Sequence, residues 1–217
     1  MAQTDNPLTI EEYSAELSKS LNSIDKKKIH KLAEILKKAI LNNQKIILMG
    51  NGGSAANALH IAGDYMKTFG MLGYKPNIST PADNMCFLTA VSNDLNYNDA
   101  FQLYLESVID KNSIIIFLSG SGNSINLIKS LNSNLLKKIG NIETWSLTAY
   151  EGGRISKLTS NWIHLPTNNM EIAEDLHLIV FHFIKQRLYY HFSNTEKNKK
   201  ILNDDRYFKR TILNEVS

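Results

Sequence analysis

Apolar residues near the start of the chain recur with a period close to 3.6. Leu17, Leu21 and Ile24 form one stripe behind Thr9 and Glu12, which have capping-box spacing. Ile29, Leu32, Ile35, Leu36, Ala39 and Ile40 form a second stripe over residues 25–42. Two amphipathic helices are predicted, able either to cover a sheet or to meet another subunit. The rhythm then changes. Residues 46–49 are a short apolar run ending at Gly50, and 113–118 (SIIIFL) are another; both read as buried strands. Shorter strands are predicted at 76–80, 144–148 and 162–165, and helices at 55–67, 82–92, 97–109, 125–138 and 170–191. Apolar strands alternating with helices define an α/β fold, a doubly wound and mainly parallel sheet covered on both faces.

Composition agrees with one large core. The chain has 217 residues, 43% hydrophobic and 21% charged, which excludes a disordered or collagen-like chain. No apolar run reaches the roughly 18 residues of a membrane-spanning helix, and the N-terminus lacks signal-peptide features. Cys86 is the only cysteine, so no internal disulfide can form and a cytoplasmic location is expected. Its MCFL setting predicts burial by packing. Six Lys/Arg and four acids fall in 193–217, leaving 18 bases and 17 acids elsewhere. A nearly neutral body argues against nucleic acid as a partner. Residues 1–192 read as a single domain, and 193–217 as a polar tail or a small docking helix carrying Tyr207, Phe208, Ile212 and Leu213.

Two loops carry chemistry. GNGGS (50–54) and SGSGNS (119–124) each follow a buried strand and precede a helix, where ligands of open α/β sheets bind. Glycine lets a ligand approach the backbone, helix N-termini offer free N–H groups, and three serines add hydroxyls. That combination suits a phosphate monoester. Neither loop is a Walker A or GxGxxG sequence, so no nucleotide cofactor is expected.

Imidazoles and carboxylates follow at helical spacing. His60 and Asp64, four apart, share a helix face. Glu174 and His182, eight apart, fall about 80° from one another around an ideal helix. Glu174 and His177 are a geometrically easier pair, and spacing alone leaves His177 and His182 both open.

The segments GNGGSAANALHIAGD, SNDLNYNDAF, SGSGNS, LTAYEGG and EIAEDLHLIVFH occur in the order of the motifs of the phosphoheptose isomerases, and the chain resembles that group of the sugar isomerase (SIS) family over roughly residues 10–190. The resemblance implies a cytoplasmic homotetramer with active sites between subunits. It implies isomerisation of sedoheptulose 7-phosphate to D-glycero-D-manno-heptose 7-phosphate for bacterial surface polysaccharide. It also implies zinc or a similar divalent ion on His60, Asp64, Glu174 and His182, with Asp64 and His182 as the catalytic acid–base pair. Ser54, Ser119, Gly120, Ser121 and Ser124 would then surround phosphate, while Asn51, Gly52, Gly53, Asn93 and Asp94 contact the sugar.

Three positions depart from the family pattern. Asp64 stands for a glutamate, Glu174 for a glutamine, and Gly120 for the middle residue of a Ser-Thr-Ser. The shorter Asp64 withdraws its carboxylate by one methylene, which bears directly on proton-transfer geometry. These changes keep two alternatives in view: an isomerase for another ketose phosphate, and a non-catalytic scaffold like the replication regulator DiaA. A histidine at 182 speaks against the scaffold.

Overall fold

The computed structural model describes residues 9–140 and 142–195. Thr9 caps α1 (Ile10–Ser23) through the reciprocal capping box with Glu12, and Asp25 caps α2 (Lys26–Leu41) by accepting from the Lys27 and Lys28 N–H groups. β1 (Lys45–Met49) leads into α3 (Gly52–Met71). Next come β2 (Asn77–Ser79), a 3-10 turn (Pro81–Asp83), α4 (Met85–Asp94) and α5 (Tyr97–Val108). β3 (Ile114–Ser119), α6 (Ile125–Leu131), α7 (Asn134–Ile139) and β4 (Glu143–Thr148) follow. The described part ends with α8 (Ile155–Leu158), β5 (Asn161–His164) and α9 (Met170–Ser193).

Among the described residues all four strand pairings are parallel, and the order is β2-β1-β3-β4-β5. The sheet is therefore doubly wound, and its order reverses between β1 and β3. Alternate residues of one strand serve opposite cores, as the two-residue period requires. Ile46 and Leu48 join a large core with α2, α3 and α9, whereas Ile47 and Met49 join a smaller one with α4, α5 and α6. Both faces are dry. This explains why β1 and β3 read as continuous apolar runs.

The N-terminal helices settle onto the same chain. α2 buries its predicted stripe, Ile29, Leu32, Leu36, Ala39 and Ile40, in the larger core. α1 lies more loosely, tied by Tyr13 Oη donating to Asp175 Oδ2 at 2.7 Å and Thr167 Oγ1 donating to Glu16 Oε1 at 2.8 Å.

Four expectations need correction. The helix predicted over 125–138 is two helices, because Ser133 caps a new one through the Leu135 N–H while its hydroxyl donates to Glu106. The helix predicted from 55 starts at Gly52, inside the glycine loop. α8 was not expected. Cys86 is exposed on α4 rather than buried, since Phe87, Leu88 and Val91 supply that helix's inward face. Residues 196–217, with nearly all of the predicted tail or docking helix, lie outside the described residues.

His177 is wholly buried under β4, 3.1 Å from the Leu147 carbonyl through Nε2. Its Nδ1 is the single buried side-chain polar atom without a partner among the described residues. An acceptor on one side and nothing on the other fits a neutral imidazole with its proton on Nε2. Burial holds its pKa down, from an ordinary 6.5 to about 4. Below pH 6.5 the unfolded chain takes up a proton that the folded chain refuses, so stability falls as pH drops from 6.5 toward 4 and levels below that. The loss expected from this group is about 3 kcal/mol. Urea denaturation at pH 7 and pH 4 should show that slope reduced in His177→Leu relative to the wild type.

Candidate active site

The loops after β1 and β3 lie side by side at the carboxyl end of the sheet, where the strand order reverses. They are laced together by amides. The side chains of Asn51 and Asn126 exchange hydrogen bonds at 2.9 and 2.8 Å, and Tyr97 Oη donates to Asn51 Oδ1 at 2.6 Å. Sequence reasoning missed Asn126 and Tyr97. The available signal for Asn126 was an amide among the inward positions of α6, where it is 2% exposed.

In the loop after β3, Ser119 Oγ accepts from the Gly122 N–H at 3.0 Å and Ser121 Oγ from the Asn123 N–H at 3.3 Å. Ser124 is the N-cap of α6 but makes no capping bond with its side chain. A second segment braces this loop. The Ile155 N–H donates to the Gly122 carbonyl, the Arg154 N–H to Asn123 Oδ1 and the Ala149 N–H to the Gly120 carbonyl, at 2.9–3.0 Å. Residues 149–155, which overlap the LTAYEGG segment, are thus the back wall of the serine loop. Gly120 leaves room for Met170: a Cβ there would stand 2.1 Å from the Met170 sulfur.

α3 and α9 run parallel and in step. Asn57 Nδ2 donates to the Glu174 carbonyl at 2.8 Å, and Tyr65 Oη to the Phe181 carbonyl at 2.9 Å. His60 faces His182 and Asp64 faces Lys185, with sequence offsets of 122 and 121. The two Nε2 atoms of His60 and His182 are 2.8 Å apart, in hydrogen-bond contact. Asp64 Oδ2 lies 4.0 Å from His182 Nε2 and is ion-paired with Lys185. Burial, then the charges of His60 and Lys185, lower the His182 pKa against the opposing pull of Asp64. A neutral imidazole is favoured. It can ligate a metal or take up a proton.

His60, Asp64 and His182 each offer a ligand atom within 4.8 Å of the others'. The two imidazoles and one carboxylate suit zinc or a similar divalent ion. Glu174 stands apart from this trio. Its carboxylate lies against Gly53, where a Cβ would come within 2.2 Å of Oε2, and it accepts from the Ser54 N–H. Burial, with Glu171 and Asp175 nearby, raises its pKa. Gly52, Gly53 and Ser54 form the first turn of α3, so Glu174 supplies an anion at that helix's N-terminus. Asn93 and Asp94 are exposed at the end of α4, hydrogen-bonded to one another at 2.9 Å. His30 and His164 lie away from the trio, His30 against the Phe183 ring and His164 on the Tyr150 carbonyl.

A parallel sheet of this order, with small-residue loops at the reversal and a histidine–carboxylate cluster between two parallel helices, defines a class of phosphosugar-binding α/β domain. The chain belongs to the SIS domain family, whose pattern matches residues 11–134. It is similar to the phosphoheptose isomerase of Helicobacter pylori (strain Shi470), at 30% identity over 181 residues, 82% of this chain and 91% of the relative. The phosphoheptose isomerase of Sulfurimonas denitrificans is 34% identical over 72% of this chain and 80% of its own. The solved structure of phosphoheptose isomerase GmhA from Neisseria gonorrhoeae shares the fold, with a TM-score of 0.72 over 82% of this chain and 97% of that one, at 22% identity. A phosphoheptose isomerase from Francisella tularensis does so with a TM-score of 0.74 over 83% and 94%, at 18% identity.

Gly122 tests the brace. Its φ is +65°, and a Cβ would meet the Gly152 carbonyl oxygen at 2.1 Å, backbone against backbone. Gly122→Ala should cost about 1–3 kcal/mol of stability, read by urea denaturation, and weaken binding of a sugar phosphate measured by calorimetry.

Proposed function

We propose that this protein is an aldose–ketose isomerase converting sedoheptulose 7-phosphate to D-glycero-D-manno-heptose 7-phosphate. The observation that carries the reading is the juxtaposition of the Asp64 carboxylate with the His182 imidazole, Oδ2 to Nε2 4.0 Å, in a chain whose relatives are phosphoheptose isomerases. Isomerisation moves a proton between C1 and C2. Asp64 takes a proton from C1 of the ketose while His182, having first taken up a proton from solvent, gives it to the C2 oxygen, leaving an enediol. Return of a proton to C2 and loss of one from the C1 hydroxyl then yield the aldose, with no redox change. A divalent ion on His60, Asp64 and His182 would supply Lewis-acid polarisation of the reacting oxygens. Glu174, beside Gly53, could join those ligands through a change in its side-chain conformation.

The anchor for phosphate is the serine loop, with Ser119, Ser121 and Ser124 around Gly120. The first turn of α3 already faces the Glu174 carboxylate, which disfavours a second anion there. Asn51, Gly52, Gly53 and Ser54 therefore suit sugar hydroxyls, with Asn93 and Asp94 as further hydroxyl contacts. His60 lies seven residues beyond Gly53, an axial distance of about 10 Å. An elongated substrate, with hydroxyls along the first turn of α3 and its reacting carbons beside His60, suits that separation. Remote binding at the phosphate would then position C1 and C2.

A homotetramer with sites between subunits is part of the same reading. His60 is exposed, with Leu59 and Met66 on α3 and Phe183 on α9 exposed nearby in sequence. A second subunit over these helices would cover that apolar surface and dry the acid–base pair. The proposed setting is cytoplasmic, supplying heptose for surface polysaccharide. Met170 filling the space beside Gly120 favours one variation, a preference for a different ketose phosphate.

NMR of the protein incubated with zinc and sedoheptulose 7-phosphate should show the aldose accumulating. Asp64→Asn and His182→Ala, checked for folding by circular dichroism, should each lower kcat by about 100-fold or more. Full turnover in both folded variants would overturn the acid–base assignment. Binding without turnover in the wild type would shift the substrate to another ketose phosphate.

A further inference from the structure

One oxygen of Asp64 has two claimants. Oδ2 faces His182 Nε2 at 4.0 Å, and that same Oδ2 is ion-paired with Lys185 Nζ. Lys185 reaches it from α9, three residues beyond His182, and the two side chains are only 21% and 18% exposed. A lysine that merely steadied a metal-ligating carboxylate would hold the oxygen turned away from the imidazoles. Lys185 holds the oxygen turned toward them.

We propose that Lys185 is a built-in competitor of the divalent ion, its ammonium occupying the cation position on Asp64 Oδ2 and having to withdraw before a metal can bind there. The inference rests on reading His60, Asp64 and His182 as a metal centre. Its physical basis is direct. A metal bonded to a carboxylate oxygen lies about 2 Å from it, and an ammonium on the same oxygen would face a doubly charged neighbour at close range with little solvent to screen it. Metal affinity is then set by an exchange of cations rather than by simple addition. In the ion's absence the site is already internally satisfied, Asp64 by Lys185 and the two imidazoles by each other.

The sign of the effect separates this role from a supporting one. Removing a competitor tightens metal binding; removing a support loosens it. The test is a zinc titration of the metal-stripped full-length protein against a chromogenic chelator. Lys185→Met, which keeps the length of the side chain without its charge, should bind zinc about tenfold tighter or more than wild type. Lys185→Arg, which keeps the charge, should stay near wild type. Lys185→Gln serves as a second uncharged variant should the methionine protein not fold. Equal or weaker binding by the uncharged variants would overturn the proposal while leaving the metal centre standing. Failure of wild type and variants alike to take up zinc would overturn both.

Discussion

The parallel, in-register contact of α3 with α9 is the constraint on which the candidate site depends. Buried residues of both helices, among them Ile61, Tyr65 and Phe69 from α3 and Val180, Phe181 and Ile184 from α9, join one core against the sheet. Because these apolar faces pack tightly, the polar residues at their shared edge have no freedom of register. His60 must meet His182, and Asp64 must meet Lys185. Slippage by one turn would exchange those partners and dissolve the cluster. The Asn57 and Tyr65 side chains fasten the same register by binding carbonyls of α9. Chemistry at the edge is therefore positioned by hydrophobic packing underneath it.

A second constraint acts at the carboxyl end of the sheet. Parallel strands of order β2-β1-β3-β4-β5 bring two loops distant in sequence to one crevice. Each loop is held from outside: the glycine loop by the Asn51–Asn126 amide pair and by Glu174, the serine loop by the backbone of residues 149–155. The two backbones cross most closely at Gly122 and Gly153, both with a positive φ that glycine adopts without strain. Such bracing keeps donors fixed while a ligand enters, which lowers the ordering cost of binding.

The departures from the family pattern acquire physical neighbours in this arrangement. Asp64 is not simply a shortened base, because a cation from α9 has come to meet it. Glu174 is not simply a charged ligand, because its carboxylate stands at the N-terminus of α3, where a helix favours negative charge. Gly120 is not simply a missing side chain, because Met170 fills the space. Each of the three positions has a specific neighbour in this structure: Lys185 at Asp64, the first turn of α3 at Glu174, and Met170 at Gly120.

Most of the fold was legible in the chain. Uninterrupted apolar runs at 46–49 and 113–118 announce strands buried on both faces, and the stripes of α1 and α2 announce helices with one inward face. Local chemistry also marked GNGGS and SGSGNS, since small residues between a strand and a helix leave backbone groups free. His60 with Asp64 was visible because four residues make one turn. What the sequence could not decide was anything across elements. Ser133 breaking a helix, Cys86 turning outward and Asn126 clasping Asn51 all depend on neighbours tens of residues away. Spacing on α9 left both His177 and His182 open, with His177 the easier partner for Glu174. Packing separated them, sending His177 into the core under β4 and His182 to the edge beside His60. Lys185 was silent in the sequence for the same reason: a lysine on a helix is ordinarily solvated. Only the register of α3 against α9, set by side-chain packing between segments more than a hundred residues apart, gives that charge a partner.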